Sequence, residues 1–139
     1  MTQEEKSLLL KDLCCRLPYG VKFGIGSAKL GRYDLTDIDV KKEKVRYSNG
    51  LYADLERCKP YLRPMSSMTE EEKRELAEEQ KKDEELFLYI IHKSQEGDDS
   101  LLGTAIPHYA EDWANKNHFD YRGLIPMGLA LGAPEDMYN

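Results

Sequence analysis

His118-Phe119-Asp120-Tyr121-Arg122-Gly123-Leu124-Ile125-Pro126-Met127-Gly128-Leu129-Ala130-Leu131 is the stretch on which a reading of the chain turns. It sets an acid and a base around a tyrosine, follows them with a glycine, and then runs from Leu124 to Ala133 without a charge, in a chain that is 33% charged. A carboxylate at 120 can accept from backbone N–H groups just downstream, Arg122 can reach a second acceptor, and Gly123 permits the turn. His118, Phe119, Asp120, Tyr121, Arg122 and Gly123 are therefore expected to form a structural strap. The strap would close the hydrophobic core and lock both halves of the chain into one folding unit.

Working outward, 139 residues at 40% hydrophobic content suffice for one core, and the expectation is a single α+β domain over 1–139. Its first part, 18–65, reads as β-rich, and 66–139 reads as helix-rich and acidic. Charge follows the same division: residues 1–65 carry 13 Lys+Arg against 9 Asp+Glu, and residues 66–139 carry 7 against 17. Three cysteines, two of them adjacent, make a poor disulfide framework, and no C-x-x-C is present. The acidic start is unlike a signal peptide, and the longest uncharged run falls short of the ~20 residues of a membrane span. A reduced cytoplasmic protein with no membrane partner is expected.

Thr2 and Glu5 have capping-box spacing, and Leu9, Leu13 and Leu17 predict a helix to Arg16 that Pro18 and Gly20 end. Lys6, Lys11, Asp12 and Arg16 are expected on its wet side, with Cys14 and Cys15 packed. Residues 21–25 alternate as a strand. Tyr33 to Val40 changes parity, which predicts a bulge near Thr36-Asp37. Lys41–Lys44 turns the chain, Val45 and Tyr47 resume alternation, and Asn49-Gly50 signals a hairpin into Leu51–Leu55. Cys58–Leu62 reads as one helical turn. Such short strands suggest a small SH3-like, partly closed barrel or bent sheet.

Thr69 and Glu72 open a second helix, expected to reach Lys82 and to be held by Glu70–Arg74 and Glu78–Lys82 pairs. Leu86–Ile91 is apolar at both parities. Its β-branched and aromatic content favours a strand over a helical continuation. Leu101–Ala105 would return as its partner. A last helix, begun by Thr104 and Pro107, would run to Lys116 with Ile106, Ala110, Tyr109 and Trp113 on one face.

Candidate sites are sparse. His118 and Asp120 with Cys14 or Cys15 offer the parts of a thiol–imidazole–carboxylate relay, but nothing in the spacing brings them together, and His118 more simply ends the last helix as a cation. His92, His108 and His118 lack metal-ligand spacing, and Gly24-x-Gly26 with Lys29 and Gly31 lacks the G-K-[ST] of a phosphate loop. No catalytic residue, metal or cofactor is expected. Lys41, Lys42, Lys44, Arg46 and Tyr47 form a basic, aromatic hairpin of the kind that binds nucleic acid, or else an edge-protecting one. Glu71, Arg74, Glu75 and Glu78 lie on the thinly anchored acidic helix and are the expected contacts for a protein partner.

Three blocks, Leu17-Pro18-Tyr19-Gly20-Val21-Lys22, Lys59-Pro60-Tyr61-Leu62-Arg63-Pro64-Met65-Ser66-Ser67-Met68-Thr69-Glu70-Glu71-Glu72-Lys73 and His118-Phe119-Asp120-Tyr121-Arg122-Gly123-Leu124-Ile125, resemble a family of small uncharacterised proteins. Gut anaerobic bacteria and their phages or prophages encode that family. The resemblance touches both ends and the middle of the chain and implies no activity. The expectation is a non-enzymatic protein-interaction or accessory module of phage or mobile-element origin. The alternative is a nucleic-acid-binding accessory protein that uses the basic hairpin.

Overall fold

A computed structural model describes residues 1–26, 31–48, 50–98, 100 and 107–138. The chain divides into two compact units, one of Met1–Ser67 with Asn115–Asn139, the other of Met68–Ala114. The change in composition near residue 66 marks the first boundary. The C-terminal segment counts with the front of the chain.

The first unit opens with α1, Gln3–Arg16, whose Thr2 and Glu5 form both bonds of a capping box. A 3₁₀ turn at Leu17–Tyr19 ends it, and Gly20 then takes a left-handed φ of 73°. Five strands follow: β1 Lys22–Ile25, β2 Tyr33–Asp39, β3 Lys44–Tyr47, β4 Tyr52–Asp54 and β5 Cys58–Leu62. With β6, Leu131–Gly132, they form one sheet in the order β4-β3-β2-β1-β5-β6. All pairs are antiparallel except β5 with β6. The class is α+β, as the sequence implied. The sheet is open, with β4 and β6 at its edges, and does not close into a barrel.

The bulge expected near Thr36-Asp37 is present as a register shift between Leu35 and Asp37. Cys58–Leu62 differs from expectation, being a strand and not a helical turn. Its alternation decides this: Cys58, Pro60 and Leu62 are buried while Lys59 and Tyr61 are half-buried. Pro60 is tolerated because β6 runs beside β5 only from Tyr61 onward, so position 60 has a neighbour on one side. The core lies between α1, the sheet and the strap. Leu9 and Leu13 meet Val21, Phe23, Leu35, Val45, Leu55 and Leu62, and Leu124, Leu129 and Ala130 complete it.

The second unit holds α2, Glu70–Gln95, and most of α3, Tyr109–Lys116. The expected break at Lys82 and the strand at 86–91 are both absent. No glycine or proline interrupts 70–95, and extending a helix already nucleated adds a hydrogen bond per residue fixed. Leu86 and Ile90 also continue, at helical spacing, the sheltered stripe of Leu76, Glu79 and Asp83. In place of the expected pairs, Glu70 meets Lys73 at 2.9 Å and Lys82 meets Glu79 at 3.1 Å, each three residues apart instead of four. The start of α3 is capped by Asp83, which accepts from Tyr109 N at 2.7 Å and Ala110 N at 2.9 Å. Trp113 Nε1 donates to Glu75. The expected strand at Leu101–Ala105, Thr104 and Ile106 lie outside the described residues, as does Asn49 of the hairpin turn.

A Cβ at Gly20 would meet nothing within 4 Å, so only its backbone conformation resists substitution. Gly20→Ala is expected to cost about 1–2 kcal/mol in urea unfolding followed by circular dichroism, with no loss of native signal.

Candidate functional site

The strap is held from below by a buried cluster of charge. Asp12 and Arg16 are both fully buried, contrary to the wet face expected of them. They stand on the same helical stripe as Leu9 and Leu13, at spacings of three, four and seven, which is the signal in the sequence that points inward. Arg16 Nε donates to Asp12 Oδ2 at 2.8 Å, and Arg16 Nη2 donates to the Phe119 carbonyl at 2.6 Å. Arg122 Nε donates to the other oxygen, Asp12 Oδ1, at 3.1 Å. One carboxylate thus holds two guanidinium groups from opposite ends of the chain.

Around it the strap supplies its own bonds. Asp120 accepts from Leu124 N at 2.8 Å and Ile125 N at 2.9 Å, so both its oxygens serve the turn at Gly123. Arg122 Nη2 donates to the Tyr121 hydroxyl, and that hydroxyl donates to Asn115 Oδ1. Arg63 lies with its guanidinium 4.1 Å from the centre of the Phe119 ring. The backbone of 118–120 pairs with Arg63: Arg63 N donates to His118 O, and Asp120 N donates to Arg63 O.

His118 does not end the last helix as a cation. It sits beyond α3, is buried, and takes a left-handed φ of 63°. Its ring stacks on Tyr138 at 3.6 Å. Burial first, and then Arg16, Arg63 and Lys22, push its pKa down to about 4, so the ring is neutral at neutral pH. Among the described residues, its Nδ1 and the Nη1 of Arg16 are buried with no hydrogen-bond partner. The parts of a thiol–imidazole–carboxylate relay are not joined. Asp120 is committed to the turn, Cys15 Sγ accepts from Arg122 at 3.6 Å, and the ring of His118 faces Tyr138.

Nor are the cysteines alike. Cys14 is exposed and one position off the packed stripe, Cys15 is half-buried, and Cys58 is buried. Desolvation and then Cys15 push the Cys14 thiol up, and burial pushes Cys58 up to about 12, both away from the thiolate. Among the described residues no three of His, Cys, Asp or Glu come together as metal donors, and no helix is long and apolar enough to cross a membrane. Gly24 of the glycine-rich stretch is a strand residue paired with Lys59, and Lys29 lies outside the described residues.

The basic hairpin is largely balanced by its own neighbours. Lys44 faces Asp39 on β2 and Asp54 on β4, and Arg46 faces Asp37. Arg46 also donates to Gly50 O and lies over the Tyr52 ring. Tyr47 packs against Phe23 and Tyr33, with ring centres 6.0 and 5.0 Å away, so its faces serve the core. Lys41 and Lys42 are exposed in the turn, where Asp39 accepts from Lys42 N. On α2, Glu71, Arg74, Glu75 and Glu78 are all exposed, and Glu75 is engaged by Trp113. Comparison with protein-family models, with curated proteins and with solved structures returned no significant match.

Removing Asp12 leaves two arginines without their shared acceptor, one of them fully buried. Asp12→Ala is expected to lose about 3–5 kcal/mol of unfolding free energy, measured by urea titration. A second expectation concerns pH. The folded state holds His118 at a pKa near 4 against an ordinary 6.5, so below 6.5 the unfolded chain binds the extra proton. Stability from this group is full above about 6.5 and falls as pH drops towards 4, by roughly 1–3 kcal/mol in all. His118→Asn, which tolerates the left-handed backbone, should flatten that part of the pH–stability curve.

Proposed function

We propose that the chain works as a protein-interaction module without chemistry of its own, and that α2 is its partner-binding surface. The observation that carries this reading is the exposure of that helix. Across 26 residues only Ile90 is buried, and Glu71, Arg74 and Glu78 stand in solvent on its first three turns. Exposed pairs such as Lys73–Glu70 contribute only a few tenths of a kcal/mol each. A long helix with so thin a sheltered stripe gains most from a partner that covers it.

The polar groups of the first unit support the same reading. Asp12, Arg16, Asp120 and Arg122 are bound to one another's segments and are spent on architecture. The resemblance to small proteins of gut anaerobes and their phages fits an accessory role, in which a short chain acts by occupying a host protein. The cross-strand acids beside Lys44 and Arg46 lower the appeal of the hairpin as a nucleic-acid groove.

A photocrosslinking residue placed at position 78 or at position 42 tests the choice in cells that carry the gene. Adducts to a second protein from position 78, and none to nucleic acid from position 42, are expected. Nucleic-acid adducts from position 42 that vanish steeply with added salt, with no protein adduct from 78, would overturn the reading.

A further inference from the structure

After β6 the chain returns to the sheet. Ala133 N donates to Leu62 O, a turn closes with Met137 N on Pro134 O, and Tyr138 comes to rest against β1 and β5. Its ring lies on the imidazole of His118, with centres 3.6 Å apart and planes 12° from parallel. Its hydroxyl accepts from Lys22 N at 2.9 Å and donates to Tyr61 O at 2.7 Å.

The register of the two strands gives this hydroxyl its meaning. Gly26 N donates to Arg57 O, and Gly24 comes opposite Lys59. In an antiparallel ladder the hydrogen-bonded pairs recur at every second residue, so the next is Lys22 with Tyr61. There the Tyr138 hydroxyl stands between donor and acceptor, and the link from Lys22 N to Tyr61 O runs through it.

With Tyr138 withdrawn, the same two groups can meet directly. Neither arrangement orphans a backbone group, so the sheet does not hold the tyrosine in place. The side-chain terms oppose each other. Docking buries the phenol ring, which favours the closed arrangement. It also covers the imidazole of His118, which has Arg16, Arg63 and Lys22 close by and, among the described residues, a buried Nδ1 without a hydrogen-bond partner. Keeping such a ring from water opposes docking.

We propose that the segment 134–138 is a releasable latch. Tyr138 docks as a wedge between β1 and β5; when it leaves, the ladder closes by a direct Lys22–Tyr61 bond and His118 is uncovered. The sheet then has two complete hydrogen-bonding states, and the segment passes between them while the first unit stays folded. The strap differs, for its removal would strand the buried guanidinium of Arg16. The latch lies wholly in the first unit and owes nothing to α2.

Two substitutions in the full chain, each followed by nuclear magnetic resonance, test the latch. Tyr138→Ala removes the wedge. The Lys22 amide should then stay protected from hydrogen exchange to within about tenfold of Gly24, and the pKa of His118 should climb from about 4 towards 6.5. Tyr138→Phe takes away only the hydroxyl. A phenyl ring left in place would orphan Lys22 N and Tyr61 O, so this variant should open as well and show the same two changes. A Lys22 amide that loses protection by more than about a hundredfold in either variant, while Gly24 keeps its own, overturns the proposal. So does a His118 pKa that stays near 4. Should Tyr138→Ala fail to fold, Tyr138→Phe decides alone.

Discussion

Asp12 is the residue on which the first unit depends. It is a carboxylate with no exposure to water, and its two oxygens are taken by Arg16 from its own helix and Arg122 from the strap. Burying a lone charge costs several kcal/mol, and Coulomb attraction offsets that only where geometry and hydrogen bonding are good. The cluster meets this condition by drawing on distant segments. Arg16 also needs the Phe119 carbonyl, which exists in the right place only when the strap is docked. Helix end and strap therefore stabilise each other, and the buried guanidinium of Arg16 is tolerable only with the strap in place.

The consequence reaches the sheet. The strap is tied to β5 at both of its ends, by Arg63 pairing with the backbone of 118–120 and by Ala133 N donating to Leu62 O. Between these ties Leu124, Leu129 and Ala130 fill the core that α1 and the strands leave open. The cluster fixes where the strap lies, and the apolar run supplies the burial. Such a core forms only when both ends of the chain are present, so residues 110 positions apart act as neighbours. The second unit follows a different rule: a capped, highly charged helix with one sheltered stripe, whose outer faces stand in solvent.

What could be read from the sequence follows the range of the interactions. Both capping boxes, the chain reversal at Gly20 after α1 and the bulge after Leu35 are set by residues a few positions apart, and local pattern shows them. Asp120 belongs with these, because the amides it accepts from are four and five residues on. Asp12 and Arg16 were misplaced because charge suggested solvent, although their spacing put them on the leucine stripe. The partner that makes their burial possible, Arg122, lies at the other end of the chain. Asp83 as the cap of α3 is missed for the same reason, since it acts across 26 residues. In α2 the error was one of period: aromatic and β-branched content at 86–91 suggested a strand, and the uninterrupted helix overrode it. The basic hairpin shows the converse case, where the sequence displays the lysines and only strand register reveals the acids that face them.

The division of labour is then physical. Charge buried in the first unit builds structure, and charge and apolar surface on α2 stand exposed. Through Asp12, α1 and the strap form one cooperative piece. Native-state hydrogen exchange measures it directly. The amides of Leu124 and Ile125 should open with the same free energy as those in the last turns of α1, and Asp12→Asn should lower both together. Strap amides that exchange freely while α1 stays protected, or that ignore Asp12→Asn, would contradict the account.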